Sequence, residues 1–316
     1  MKEISKIYHD IYPTLETVEQ QRIKVLRQGQ NILFIALTII GLTAVIGIVW
    51  LQRQGVFPIP LFILMGITAI ICGGIYAYKR SKVIKAFKSE VITRIIESID
   101  NSYYYSASGH IDQGHFKASK LFQSSDRYNG EDYISGRLDK TDFELSEIHA
   151  EYESRDSDGD TTYHTIFKGL FMIADFHKDF HGHTVVVPDR TGEGWFGRIA
   201  KSSKRKGQEL AKMENPDFEK EFDVYTTDQV EARYILSTSM LENIMLLKKR
   251  FNSKIHIAFL NSCVYIAIEW KKKFLEPNLK HSLLEEATIH KYLDDIWLCL
   301  EIIEELNLNT RIWSKT

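Results

Sequence analysis

From Ile32 to Tyr78 the chain carries two apolar segments separated by one short polar break at Gln52, Arg53 and Gln54. No other stretch limits the fold as strongly. Ile32 to Leu51 runs for 20 positions without an ionisable residue. A helix of that length rises about 30 Å, the hydrocarbon thickness of a bilayer. Val56 to Tyr78 is equally free of charged residues. Pro58 and Pro60 stand at its entrance, where a missing backbone donor costs least, so the regular helix is expected to begin near Leu61. Two membrane spans, 32–51 and 56–78, are the expectation.

The flanks give an orientation, because Lys and Arg beside a span are retained on the cytoplasmic side. Arg22, Lys24 and Arg27 precede the first span, Lys79, Arg80, Lys82, Lys85 and Lys88 follow the second, and the connecting loop has only Arg53. Both termini are therefore expected in the cytoplasm. Trp50, Tyr76 and Tyr78 fall where amphipathic rings prefer to sit. Gly41 and Gly47 in one span, and Gly66, Gly73 and Gly74 in the other, would let the two backbones approach closely. Neither span holds Asp, Glu, Lys, Arg or His, so the residues of a proton or ion pathway are missing and an anchor is favoured over a conduit.

A net charge of −2 supplies no basic field for nucleic acid. The three cysteines, Cys72, Cys263 and Cys299, have no CxxC spacing and read as small buried hydrophobes of a reducing compartment. The first apolar run starts after about 30 polar residues and is too long for a signal-peptide core.

Residues 1–30 show apolar positions three and four apart, the pattern of an amphipathic helix, interrupted at Pro13. Residues 79–100 continue helically from the second span as a stalk. Residues 101–316 have the texture of an α+β domain of antiparallel sheet, packed helices and a long C-terminal helix. Turns are expected at Asn129–Gly130, at Asp139–Lys140 and at Asp156–Asp160, between alternating strands. Strand patterns recur at 180–187 and 222–225, a helical turn at 228–236, and an N-cap at Ser237. A hairpin is expected about Asn261 and Ser262, and Ser282 with Glu285 forms a capping box for the last helix.

Gly130 to Gly136, Ile166 to Phe171 followed by Ala174, Asp175 and Phe176, Gly182 to Asp189, and the run from Asp217 through Ile235 together carry a family likeness. In these runs, and over nearly its whole length, the chain resembles the bacterial membrane proteins grouped as domain of unknown function 3137. The resemblance implies an inner-membrane location and points to a LemA-like membrane protein as partner. It transfers no catalytic residue, because no activity is attached to the family.

Three constellations could carry chemistry. Asp156, Asp158, Gly159 and Asp160 resemble the start of a calcium loop, but the twelfth position is Phe167 where a bidentate Glu is needed, which leaves a solvated hairpin tip. His177, His181 and His183 could supply imidazole to zinc or another transition metal, or be surface histidines on a turn. Trp195, Phe196, Arg198, Lys201, Lys204, Arg205 and Lys206 could dock on an anionic membrane surface or bind a partner, or form a solvated loop. Glu231 and Arg233 are placed for a structural ion pair. Nucleophile-elbow, phosphate-loop and zinc-protease motifs do not occur. The expected function is a membrane-anchored cytoplasmic binding or scaffold module, with a membrane-tethered enzyme as the alternative. Its expected partners are the bilayer and a membrane protein; neither a cofactor nor nucleic acid is expected, and homo-oligomers are compatible with the spans.

Overall fold

The computed structural model describes residues 2–55, 59–156, 159–175, 181–188, 207–270 and 272–306. It divides into two compact units. One comprises residues 1–95 and 276–291, the other 96–275 and 292–316.

The first unit is helical. Helix α1 runs unbroken over Lys2–Gln54, 53 residues. Pro13 does not interrupt it, contrary to the sequence expectation: the ring costs one backbone bond, and the buried stripe of Ile7, Ile11, Leu15 and Val18 continues across it. Helix α2 occupies Ile59–Ala86 and passes through a π-helical turn at Phe87–Ile92 into α3, Thr93–Ile99. The π turn buries Phe87, Lys88, Val91 and Ile92. Both α1 and α2 are long and apolar enough to cross a membrane. Their large side chains lie exposed along the whole apolar length, Phe34 at 73% and Ile70 at 75% among them.

The two helices meet along small and medium residues. On α1 the covered stripe is Ala36, Thr43 and Gly47, with Ile40 and Ala44 half-buried. On α2 it is Leu61, Met65, Thr68, Cys72 and Tyr76, all half-buried. Gly41, Gly66, Gly73 and Gly74 lie off this seam, where a methyl group would touch nothing within 4 Å, so close approach does not depend on them. The glycine that matters is Gly29, whose α-carbon faces the Tyr76 ring so closely that a side chain would displace it. One residue away, the Lys79 ammonium donates to Gln28 Oε1 at 2.7 Å.

Below this level a buried ion pair fastens α1 to the 276–291 segment. Arg22 donates through Nε and Nη2 to both oxygens of Glu19, at 2.8 and 2.6 Å, and through Nη1 to the Leu279 carbonyl at 3.0 Å. Glu19 in turn accepts from the Leu283 amide at 2.9 Å and the Ser282 hydroxyl at 3.3 Å. Tyr8 donates to the Leu284 carbonyl at 2.7 Å. Ser282 is thus engaged with Glu19, and the last helix begins at Glu286 rather than at the expected capping box.

The second unit is built on a nine-stranded sheet, antiparallel at every pairing, in the order β1-β2-β3-β4-β9-β8-β5-β7-β6. The strands are β1 Tyr104–Ser106, β2 Arg127–Leu138, β3 Thr141–Arg155, β4 Thr161–Asp175, β5 Thr184–Pro188, β6 Glu209–Ala211, β7 Phe222–Thr226, β8 Ile255–Leu260 and β9 Cys263–Glu269. Both edge strands have three residues, which limits the unpaired backbone offered to another chain. Helix α4, Gln113–Ala118, brings Phe116 to one face, where it packs with Phe122, Phe167 and Phe171. Ile257, Phe259, Val264, Ile266 and Ile268 are buried on the opposite face.

Among the described residues the remaining helices are α5 Pro216–Glu219, α6 Gln229–Ile235, α7 Thr238–Phe251 and α8 Glu286–Glu305. Asp228 caps α6 by accepting from the Val230 and Glu231 amides, and Ser237 caps α7 as expected. The β8–β9 turn sits at Asn261 and Ser262, both at positive φ, the geometry of a tight hairpin. Asn129 and Gly130 do not form a turn. They lie inside β2, which runs to a reversal at Asp139 and Lys140. Gly169 pairs with Glu269 where a side chain would run into the Ile268 carbonyl, so the β4–β9 junction requires glycine.

Three outcomes are expected for these contacts. Gly169→Val should destabilise the chain by about 2 kcal/mol or more, seen as a lowered denaturation midpoint. Gly29→Leu should separate the helical pair at Tyr76, measured as a longer distance between spin labels at residues 26 and 82. The third concerns Glu19: burial works to raise its pKa, but the Arg22 hydrogen bond and charge and the Leu283 amide outweigh it and leave it below the ordinary 4.5. A depressed carboxyl stabilises the fold above its unfolded pKa and loses that contribution as pH falls through the folded value. Glu19→Gln should therefore cost about 3 kcal/mol at neutral pH and flatten the acid limb of the melting profile.

Candidate functional site

The sheet brings three carboxylates together that are spread over 17 positions of sequence. Glu131 on β2 stands directly opposite Glu147 on β3. The register then breaks between Glu131 and Ile134, and the bulge turns Asp132 into the left-handed region, φ 61°. Asp is among the residues that tolerate this conformation. The Asp132 amide donates to the Ala107 carbonyl and the Tyr133 amide to the Gly109 carbonyl, so the bulge also holds the loop after β1.

One oxygen from each of Glu131, Asp132 and Glu147 lies within 4.8 Å of the others. Asp132 and Glu147 are buried and Glu131 is half-buried. Donors surround them. The Tyr105 hydroxyl reaches Asp132 Oδ1 at 2.6 Å, the Phe274 amide reaches Glu147 Oε2 at 2.8 Å, and the Lys273 ammonium lies 3.3 Å from Glu131 Oε1. Burial, reinforced by the Asp132 charge, pushes the Tyr105 phenol well above its ordinary pKa, so it stays protonated and donates. Clustered carboxylate oxygens of this kind suit a hard cation, and the same three carboxylates are served by the protein's own donors. No local signal marks this node: Glu131 and Asp132 follow an Asn-Gly pair that resembles a turn, and nothing nearby in sequence marks Glu147 as their neighbour.

The histidines do not join it. Among the described residues, the node above is the group of His, Cys, Asp and Glu close enough to share one ion, and it holds neither His181 nor His183. His183 is buried, with Nδ1 2.8 Å from Gln208 Nε2, while His181 is exposed. His177 lies outside the described residues, as do Trp195, Phe196, Arg198, Lys201, Lys204, Arg205 and Lys206. Glu231 and Arg233 do not pair with each other in the contacts they make. Glu231 accepts from the His181 and Gly182 amides at 2.9 and 2.8 Å, and Arg233 donates to the Gln229 carbonyl. At the β3–β4 tip, the Asp156 carboxylate accepts from the Asp160 amide and so closes the turn.

A second feature is an open groove of about 670 Å³ lined by α5, α7 and the residues between α5 and β7. Met245 and Leu246 give it apolar surface beside Asp217, Glu221, Glu242 and Lys249. Leu246 is 54% exposed. Lys248 pairs with Glu221 at the same place, and burial lowers its pKa. Exposed apolar groups inside a mixed-charge rim match the composition of a protein-binding surface.

Residues 165–308 match the model of a family described as "Protein of unknown function (DUF3137)". The resemblance is thereby supported from β4 to the C-terminal helix, while the two apolar helices and the 130–136 run lie outside the matched range. No curated protein and no solved structure matches the chain.

Tyr105→Phe should leave a buried carboxylate one donor short and cost about 1–3 kcal/mol, measured by chemical denaturation of the full chain.

Proposed function

We propose that this chain, similar over residues 165–308 to a family without assigned activity, is a membrane-anchored binding or scaffold module. In this reading α1 and α2 form a transmembrane hairpin in a bacterial inner membrane. Both termini face the cytoplasm, and the sheet unit engages a membrane-protein partner, LemA-like by the resemblance, or the anionic membrane surface. The observation that carries it is the continuous exposure of large apolar side chains on both helices from Leu33 to Leu51 and from Ile59 to Tyr78. Soluble proteins do not leave apolar surface of that extent in water. The flanking Lys and Arg support the orientation. The groove beside Leu246 supports a protein partner for the sheet unit.

The buried carboxylate node favours the second reading, a membrane-tethered enzyme, because like charges gathered in a buried site are a recurring feature of catalytic centres.

Affinity purification of tagged full-length protein in mild detergent, read by mass spectrometry, tests the module. A stoichiometric membrane-protein partner is expected. Leu246→Asp should abolish its capture while changing stability by no more than about 0.5 kcal/mol, since the side chain is exposed. Recovery of the protein alone would remove the scaffold reading. For topology, a cysteine at Gln52 in a chain freed of its native cysteines should react with an impermeant maleimide from the periplasmic side.

A further inference from the structure

Between Glu19 and Glu90 the sequence contains no carboxylate. Every charged side chain in those 70 positions is a cation, and apart from Arg53 all of them fall just beyond the apolar segments on the side of the termini. The fold brings them to one level. The Lys79–Gln28 hydrogen bond and the Gly29–Tyr76 contact set the antiparallel register of α1 and α2, so positions near 24–27 stand beside positions near 79–85. Six helical steps from Lys79 to Lys85 span about 9 Å, so Lys24, Arg27, Lys79, Arg80, Lys82 and Lys85 form one collar around the pair.

The collar is open to its surroundings. Lys24, Arg27, Arg80, Lys82 and Lys85 are exposed, and Lys79 is half-buried against Gln28. Arg22, the cation nearest in sequence, is already consumed by Glu19 and the Leu279 carbonyl. Among the described residues the carboxylate that approaches the collar is Glu276, 3.8 Å from Arg80, a long contact to a half-exposed guanidinium. Lys82 lies 4.9 Å over the Tyr78 ring, which directs its ammonium toward the end of the apolar segment. On α2 the last exposed large apolar side chain, Tyr78, stands about one turn from Lys82, and on α1 the first of the apolar segment, Leu33, stands about 9 Å along the helix from Arg27.

We infer that the Lys24, Arg27, Arg80, Lys82 and Lys85 collar binds the phosphate of anionic phospholipids and holds an annulus of them around the base of the helical pair. The inference rests on the membrane reading of α1 and α2. Cations here act as point charges against a headgroup phosphodiester, each strengthened by proximity to the surface. Tyr78, 62% exposed, adds an interfacial ring at the same depth.

The test uses the full chain in detergent, offered an equal mixture of phosphatidylglycerol and phosphatidylcholine, with bound lipid counted by native mass spectrometry. Phosphatidylglycerol should be enriched about tenfold in the wild type. The quadruple variant Lys24→Gln, Arg27→Gln, Lys82→Gln, Lys85→Gln should bring the ratio near unity, while the charge-preserving set Lys24→Arg, Arg27→Lys, Lys82→Arg, Lys85→Arg retains it. Circular dichroism of each variant establishes that the helices are intact. Equal binding of the two lipids by the wild type, or unchanged enrichment in an intact quadruple variant, overturns the inference. So does loss of enrichment on neutralising Arg198, Lys201, Lys204, Arg205 and Lys206 instead. Alkaline carbonate extraction separates the two failures: release of the wild type into the soluble fraction removes the membrane reading itself, whereas retention with equal lipid binding removes only the collar.

Discussion

A carboxylate and a guanidinium inside a helical core must have their hydrogen-bonding capacity met from within, and the way Glu19 and Arg22 do so fixes the first unit. They take each other, then the Leu279 carbonyl, the Leu283 amide and the Ser282 hydroxyl. A chain segment more than 250 residues away in sequence is thereby held against α1. Breaking one partner of such a pair strands the other in low dielectric, so the arrangement is enforced by the penalty for losing it more than by its net gain. Apolar residues of the same helix, Ile11, Leu15 and Val18, supply the burial that makes this site dry.

Charge is partitioned along α1 and α2 with an economy that suits the membrane reading. Glu19 and Arg22 inside the unit are satisfied by the protein, the collar cations are exposed apart from the half-buried Lys79, and the apolar lengths have no charge. The sheet unit follows a different logic. Its carboxylates at 131, 132 and 147 are gathered by a β-bulge and a cross-strand pair, then surrounded by Tyr105, Lys273 and the Phe274 amide. One bulge residue at positive φ does two jobs, closing the carboxylate node and tying down the loop at Ala107.

The parts of the fold legible in the sequence are those with a local physical cause. Absence of charge over a helical length is read from one stretch, and so are the Asn261–Ser262 hairpin and the Ser237 cap, since each needs only its neighbours in sequence. Misread elements had local signals outvoted by distant contacts. Pro13 stays within α1 because the buried stripe on both sides outweighs one missing bond. Asn129 and Gly130 extend a strand because β3 pairs with them. Ser282 donates to Glu19 and accepts from the Leu284 amide, ahead of a last helix that begins only at Glu286. Of the span glycines only Gly47 lies on the seam, beside Ala36 and Thr43, while Gly41, Gly66, Gly73 and Gly74 lie off it.

The sequence by itself determined that the chain has two uncharged helical lengths flanked by cations, followed by an antiparallel α+β unit, because hydrophobicity and side-chain periodicity are properties of consecutive residues. Tertiary structure alone decided that Glu19 latches the 276–291 segment, that three carboxylates converge at a bulge, and that cations from two helices stand at one level. Each of those is a distance between residues far apart in sequence, set by register and packing, and no local pattern encodes it.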